Sequence, residues 1–156
     1  MKRFISILFI MALVFTCVPQ FNEVSHAYTQ KSAITKIKKQ YKSCGKYHGS
    51  GQCYGYAVKM HNLVAKKTKH VNYYRSLTSK NAKKILKGLK AGSHVRISHH
   101  SLVVLKAGNN TITWCDNNYG SVRNRVHYWS GSYSYFDKVY KRHSTIEWVD
   151  KTVAYK

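Results

Sequence analysis

At His94 the hydrophobic period of this chain changes, and that change limits the folds open to it. Before His94, apolar residues recur at helical spacing. Ile34, Ile37 and Tyr41 do so within Ser32 to Tyr41, with lysines between them and Ser32 placed as a cap. Tyr54 to Ala65 sets Ala57, Val58, Met60, Leu63 and Val64 on one broad face and predicts the buried central helix, ended by Lys66 to His70. Ser79 to Lys90 carries Ala82, Ile85, Leu86 and Leu89 on a further stripe, stopped by Ala91-Gly92. From His94 the pattern alternates or runs unbroken. His94 to Ile97 alternates, and Ser101 to Ala107 is a near-continuous apolar strand. Gly108-Asn109-Asn110 reads as a turn and Thr111 to Trp114 as the returning strand of a hairpin. Val122 to Trp129 and Thr145 to Val149 are further strand candidates. Helices followed by an antiparallel sheet predict an α+β fold, with N-terminal helices packed on the sheet, rather than a doubly wound one.

The first residues belong to a different kind of segment. Lys2 and Arg3 precede an apolar run from Phe4 to Val18, and Ser25-His26-Ala27 offers small residues where a signal peptidase reads. The run is short for a membrane span and no second one follows. The expectation is a secretory signal over residues 1–27 and a single domain over 28–156, without a transmembrane segment, secreted and associated with the cell wall. Cys17 with Phe15-Thr16 before it lacks the small residue that lipidation favours. The whole chain has 27 Lys and Arg against 5 Asp and Glu, a formal net charge of +22. Removal of the signal takes away only Lys2, Arg3 and Glu23 of these, so the mature protein stays strongly basic. Such a field steers and weakly captures polyanions. For an extracellular protein these are teichoic acid, anionic lipid headgroups and nucleic acid.

After processing, Cys44, Cys53 and Cys115 remain. Secretion permits disulfides, and an odd count leaves at least one thiol unpaired in a monomer. Cys53, in Gly51-Gln52-Cys53-Tyr54-Gly55, stands between a turn and a helix. Three readings are open to it: nucleophile, disulfide partner or small buried residue. A Cys44–Cys115 bridge is the pairing that leaves Cys53 free. A thiol in the first turn of a helix feels the positive end of the dipole, which favours its thiolate. It then needs a base. Nine histidines make any one of them uninformative, but carboxylates are scarce, and Asp116 is the one acid between Glu23 and Asp137. His100 opens the first hairpin strand and Asp116 follows the second. An odd loop centred on Gly108 would set them directly opposite on one face; a two-residue turn would separate them to opposite faces and favour His99. The remaining histidines show no metal-type spacing with cysteines, so neither a structural metal nor a cofactor is expected. Trp114, Tyr128, Trp129, Tyr133, Tyr135 and Phe136 read as core and sheet surface, with a cleft wall for glycan or peptide as the alternative.

Three segments in order, GQCYGYA from Gly51, HSLVVL from His100 and CDNNYG from Cys115 to Gly120, resemble the signature segments of the cysteine, histidine-dependent amidohydrolase/peptidase (CHAP) domain. This family lies in the wider papain-like group with the NlpC-type hydrolases. Leu89-Lys90-Ala91-Gly92 resembles the family's turn before its sheet. The chain departs in having His99 where the family commonly has Gly, Asp116 where it often has Glu, and Cys115 beside that acid. The resemblance implies a papain-like α+β fold. It implies Cys53 as thiolate nucleophile, His100 as the proton carrier and Asp116 as its orienting acid, with Asn118 as a second candidate for orienting His100. The Cys53 N–H together with the Gln52 side chain would hold the oxyanion. With the signal and the charge, it implies a monomeric hydrolase acting on amide bonds of peptidoglycan, as amidase or endopeptidase. Two rival classes remain: a non-catalytic basic protein that binds anionic wall polymer, membrane or nucleic acid, and a secreted nuclease built on His100 and another histidine.

Overall fold

In the computed structural model, residues 29–43, 45–119 and 124–156 are described. The expected signal segment, Cys17, Cys44 and Val122 lie outside them, as does Gly120. The elements in chain order are α1 (Gln30–Gln40), α2 (Gln52–Val64), β1 (Ala65–Ser76), α3 (Ser79–Leu86), β2 (His94–Ile97), β3 (His100–Ala107), β4 (Thr111–Asn117), β5 (Val126–Ser132), α4 (Tyr133–Val139) and β6 (Thr145–Tyr155). The strands form one six-stranded sheet in the order β1-β6-β2-β3-β4-β5, and every neighbouring pair is antiparallel. The fold is α+β, as expected.

Helices cover both faces of this sheet. On one face, Ala33 and Ile37 of α1 and Tyr56, Ala57, Met60 and Val64 of α2 pack with Val103, Leu105, Cys115 and Val126. On the other, Ala82, Ile85 and Leu86 of α3 and Phe136 of α4 pack with Val95, Ile97, Leu102, Val104 and Trp114. Alternation along β2 to β4 supplies both sets, which explains why β3 reads as nearly unbroken apolar sequence: it is buried on two sides. Gln30 pins α1 to this sandwich by donating Nε2 to the Leu105 carbonyl at 3.0 Å and accepting the Ala91 N–H at 3.0 Å.

Several boundaries and two elements differ from the sequence expectations. α1 begins before Ser32, because Thr29 is the cap and its Oγ1 accepts the Ser32 N–H at 3.2 Å. α3 is shorter than its apolar stripe, because the chain turns at Gly88 and Gly92, with φ of 78° and 85°. The basic stretch expected to end α2 is instead β1, an edge strand whose residues from Lys66 to His70 are all exposed. An edge strand with no buried face has no period to read. Its lysines suit an edge that must not recruit other strands. The aromatic stretch Tyr133 to Phe136 is α4, not sheet; Ser132 caps it by accepting the Tyr135 N–H at 3.1 Å, and Tyr133, Phe136 and Tyr140 fall on its buried side.

The turn entering α2 fixes where Cys53 stands. Gly51 caps the helix with φ 78° and gives no side-chain bond to its N-terminus. Gly55 lies against the incoming chain: a Cβ there would sit 1.9 Å from the Ser50 carbonyl oxygen. Gly55→Ala is therefore expected to lower the urea midpoint by the equivalent of about 1–3 kcal/mol, the usual result of overpacking. A midpoint equal to that of the unsubstituted protein would show that the Ser50 turn is not held against the helix.

Candidate active site

Cys53 occupies the first turn of α2, where backbone N–H groups have no partner within the helix. It is a free thiol and partly exposed. His100 is the first residue of β3 and shares the α3/α4 face of the sheet with Leu102, whereas α2 covers the other face. The two side chains meet because each stands at the end of its element. His100 Nε2 lies 3.2 Å from Asp116 Oδ2, and His100 lines the same cleft as the Cys53 thiol. Cys53 Sγ also lies 3.9 Å from the His99 carbonyl oxygen.

The strand register explains the His100–Asp116 pair, and it is neither register weighed from the sequence. At the turn, Ala107 pairs with Ile112 and Lys106 with Thr113, a register that would turn Asp116 away from His100. A bulge at Leu105 then shifts the pairing to Val104 with Trp114 and Leu102 with Asp116. One extra residue flips every side chain beyond it to the other face. Asp116 thus stands diagonally across from His100, on the same face and within side-chain reach.

Asp116 is fully buried and has four polar neighbours. Besides His100, the Trp129 indole N–H donates to Oδ1 at 3.1 Å, the Tyr140 hydroxyl donates to Oδ2, and His127 Nδ1 stands 3.6 Å from Oδ1. The Tyr140 hydroxyl in turn accepts the Trp114 indole N–H at 2.8 Å. His127, Trp129 and Tyr140 have no assigned role in the sequence reading. Trp129 alone was legible there, as one aromatic among several.

Electrostatics follow from this packing. Burial alone pushes the Asp116 carboxyl up, but its hydrogen bonds from His100 and Tyr140, the nearby His127 ring and the His100 charge outweigh that and hold it at about 2. Burial likewise pushes His100 down, and its bonds to Asp116 and Cys53 outweigh this and lift it to about 9. For Cys53, burial pushes the thiol up, yet the His100 bond and charge, the Ser101 N–H and the Arg96 charge bring it below the ordinary range. The arrangement favours a thiolate–imidazolium pair at neutral pH.

Gln52 and Asn118 lie beside the thiol, and both have positive φ, 48° and 64°. Among the described residues, Asn118 makes no hydrogen bond to His100. Its Nδ2 donates to Gln52 Oε1 at 2.9 Å, and its Oδ1 accepts the Asn124 N–H at 3.1 Å. It holds Gln52 by the oxygen, so the amide Nε2 is the free end. Cys115 is not in a disulfide. It is a buried free thiol that accepts the Tyr56 hydroxyl at 3.4 Å, and burial pushes it up to about 12. A thiol so placed is inert. Its expected partner, Cys44, is outside the described residues.

The site opens into a cleft of about 760 Å³ lined by Gln52, Cys53, His99, His100, Asn118 and Tyr119 on one side and by Lys141, Arg142 and His143 on the other. The second wall is the loop before β6, and nothing in its sequence marks it as part of a site. His143 sits with its ring 5.6 Å from that of His100 and is held below its ordinary value by burial and by the His100 and His99 charges. Set against known protein families, curated proteins and solved structures, the chain finds no match.

Two outcomes test the site. Iodoacetamide should alkylate Cys53 at pH 6, read by peptide mass spectrometry, at a rate at least about tenfold above that of His100→Ala, whose thiol returns towards the ordinary value near 8.5. Equal rates would mean that His100 does not act on the sulfur. Asp116→Asn should lower stability at pH 7 by on the order of 3 kcal/mol, because it strips a buried charge pair of one partner. A carboxyl whose folded value is depressed stabilises the fold above its unfolded value near 3.9 and ceases to as pH falls through its folded value. The gap between the two proteins in chemical denaturation should therefore close between pH 4 and about 2. A gap that stays constant over that range would assign the loss to packing rather than to charge.

Proposed function

We propose that this protein is a secreted cysteine hydrolase of papain-like design that cleaves amide bonds in peptidoglycan. One observation carries the reading: Cys53, at a helix N-terminus, and His100 line the same open cleft, and His100 is paired at 3.2 Å with the buried Asp116 carboxylate. The resemblance of Gly51 to Gly120 to CHAP domains supports the same three residues. A cysteine helix packed on an antiparallel sheet, with His100 and Asp116 on neighbouring strands, supports the papain-like arrangement.

The chemistry balances with the groups present. The Cys53 thiolate attacks the amide carbonyl carbon, and the carbonyl electrons move to oxygen. The Cys53 N–H and the Gln52 Nε2 are the donors available to that oxyanion. Collapse expels the amine, which takes its proton from the His100 imidazolium and leaves a thioester. Water then attacks the thioester, with neutral His100 accepting its proton, and the carboxylic acid departs as the thiolate is restored. Asp116 keeps the ring in one orientation and supports its charge through both halves. The bond is the muramoyl–alanine amide or one within the stem or cross-bridge peptides, and the basic surface favours delivery to anionic wall material.

Purified peptidoglycan incubated with the protein should release soluble fragments and new amino termini, read by mass spectrometry. Cys53→Ala should reduce the release by about a thousandfold or more, as loss of a nucleophile does, and prior alkylation should do the same. Identical digestion by Cys53→Ala would exclude Cys53 as nucleophile. Absence of digestion by the unsubstituted protein, with salt-sensitive binding retained, would favour the non-catalytic polyanion binder.

A further inference from the structure

The Cys53 cleft is not the sole concavity of the described surface. A groove of about 650 Å³ lies between the end of β1 and α3, lined by Tyr73, Tyr74, Arg75, Ser76, Asn81 and Lys84 above Ile85. Its most unusual member is Tyr74. The β1–β6 register slips between Asn72 and Arg75, so that Tyr73 and Tyr74 together oppose Glu147. Tyr74 takes φ 44° in this bulge, a conformation that glycine adopts freely and an aromatic residue rarely does. The strained backbone does not bury the ring: Tyr74 is 69% exposed, the most exposed large apolar residue described. Strain of this kind persists only where the surrounding structure holds it, and it clusters at binding and functional sites.

The surroundings indicate what the ring would meet. Arg75 and Lys84 are exposed cations, and no acidic side chain lines the groove. Further exposed lysines stand on the same elements but outside the groove lining, Lys66, Lys67 and Lys69 near the start of β1 and Lys80, Lys83 and Lys87 on or beside α3. Tyr73 is set beneath, partly buried against the core, with the Lys151 ammonium 5.5 Å from its ring centre. The Asn81 Nδ2 donates to the Ser76 carbonyl at 2.9 Å, which joins α3 to the strand end and makes the groove a built junction rather than a gap. One exposed ring, two cations, a hydroxyl and an amide match a polymer of sugar rings spaced by phosphates. Single-stranded nucleic acid would instead use several stacked rings along a continuous channel. The groove also has a direction. Ser76 pairs with Thr145, and the Leu77 N–H donates to the Ser144 carbonyl at 2.8 Å. Those residues continue the Lys141 to His143 wall of the Cys53 cleft.

We infer that the Tyr74 groove, formed by the β1 bulge and α3, is a binding site for a glycosylated polyol-phosphate polymer of the teichoic-acid type. This site is separate from Cys53; its occupant rests on the proposed extracellular, wall-associated reading and not on the hydrolase chemistry. The ring stacks on a sugar, Arg75 and Lys84 each pair with a phosphate, and the loop from Lys141 leads the chain on towards the cleft.

The test is titration of the purified protein with soluble poly(glycerol phosphate) bearing N-acetylglucosamine, alongside single-stranded DNA of equal charge. Tyr74→Ala and the Arg75→Gln/Lys84→Gln pair should each weaken polymer binding about tenfold, the pair also flattening the salt dependence. A control pair on α1, Lys31→Gln/Lys39→Gln, should change it less than about twofold. Tyr74→Gly relieves the backbone strain, so it should weaken binding equally while the melting temperature stays level or rises, which separates lost contact from lost folding. Binding by Tyr74→Ala within about twofold of the unsubstituted protein, or equal effects of the groove and control pairs, would replace the site with diffuse attraction. DNA binding of equal strength and equal dependence on Tyr74 would reassign the groove to nucleic acid. Peptidoglycan digestion is read separately with Cys53→Ala and is not altered by any of these outcomes.

Discussion

A single buried carboxylate holds this molecule together at its functional end. Asp116 has no solvent exposure in a chain whose formal charge is +22. An ionised carboxyl in that position is tenable only if donors surround it. His100, Trp129 and Tyr140 do so, with His127 close by. These residues come from β3, from β5 and from the end of α4, so one charge ties together three elements far apart in sequence. Burial has a second consequence in so basic a protein. An exposed carboxylate would be shared among many surface cations, whereas Asp116 is out of their reach and is shared only among His100 and the donors around it. Fold stability and the state of the candidate base are therefore set by the same hydrogen bonds.

Cys53 reaches this network from the opposite side of the sheet. Cys53 belongs to the α1/α2 layer, and His100 and Asp116 to the α3/α4 layer. Only at the strand ends can the two layers touch without a gap in the sheet, and Cys53 and His100 both lie at the ends of their elements. Backbone strain concentrates at that junction. Gln52, Asn118 and Asn124 have positive φ, and Ser98, just before β3, does as well. The Asn118 bonds to Gln52 and to the Asn124 N–H hold the strained turns to each other. The geometry of the thiol is thus fixed by turns rather than by the middles of helices or strands, where the sequence would tolerate less irregularity.

This division also explains what the sequence could disclose. The hairpin and the α+β order were legible from period and turn residues, because buried faces leave a periodic trace. Asp116 stood out because acids are so few. The bulge at Leu105 left no trace, since Val103, Val104 and Leu105 are all apolar on a strand buried on both sides and differ only in the face they meet. Yet that bulge, not the loop length alone, decides which face carries Asp116. Asn118 is hydrogen-bonded to Gln52 and to the Asn124 N–H, partners that spacing could not name, because a spacing identifies a strand end and not the direction of an amide. β1 was invisible for the opposite reason to β3. Its stretch from Lys66 to His70 is wholly exposed, and its support comes from pairing with β6, which sequence distance conceals. Tyr140 reaches Asp116 over 24 residues of chain, through a helix that its aromatic composition had disguised.

The remaining acids sharpen the meaning of the charge. Asp137 accepts the Ser79 N–H at 2.9 Å at the start of α3, Asp150 holds His70 at 2.6 Å, and Glu147 lies 3.7 Å from Arg96. With Asp116 buried, every acid among the described residues is committed to a partner inside the protein. The exposed lysines consequently meet almost no internal opposition, and their field reaches solvent nearly undivided. Within the Debye length of physiological salt, about 8 Å, such a field collects polyanions but cannot orient them, because it has the same sign in every direction. Orientation has to come from shape. Two of the concavities of the described surface, one around the Cys53 thiol and one around the Tyr74 ring, give it such shape. On the proposed readings, charge would set how often an anionic polymer arrives, and the irregular backbone at Gln52 and Tyr74 would set where it is held.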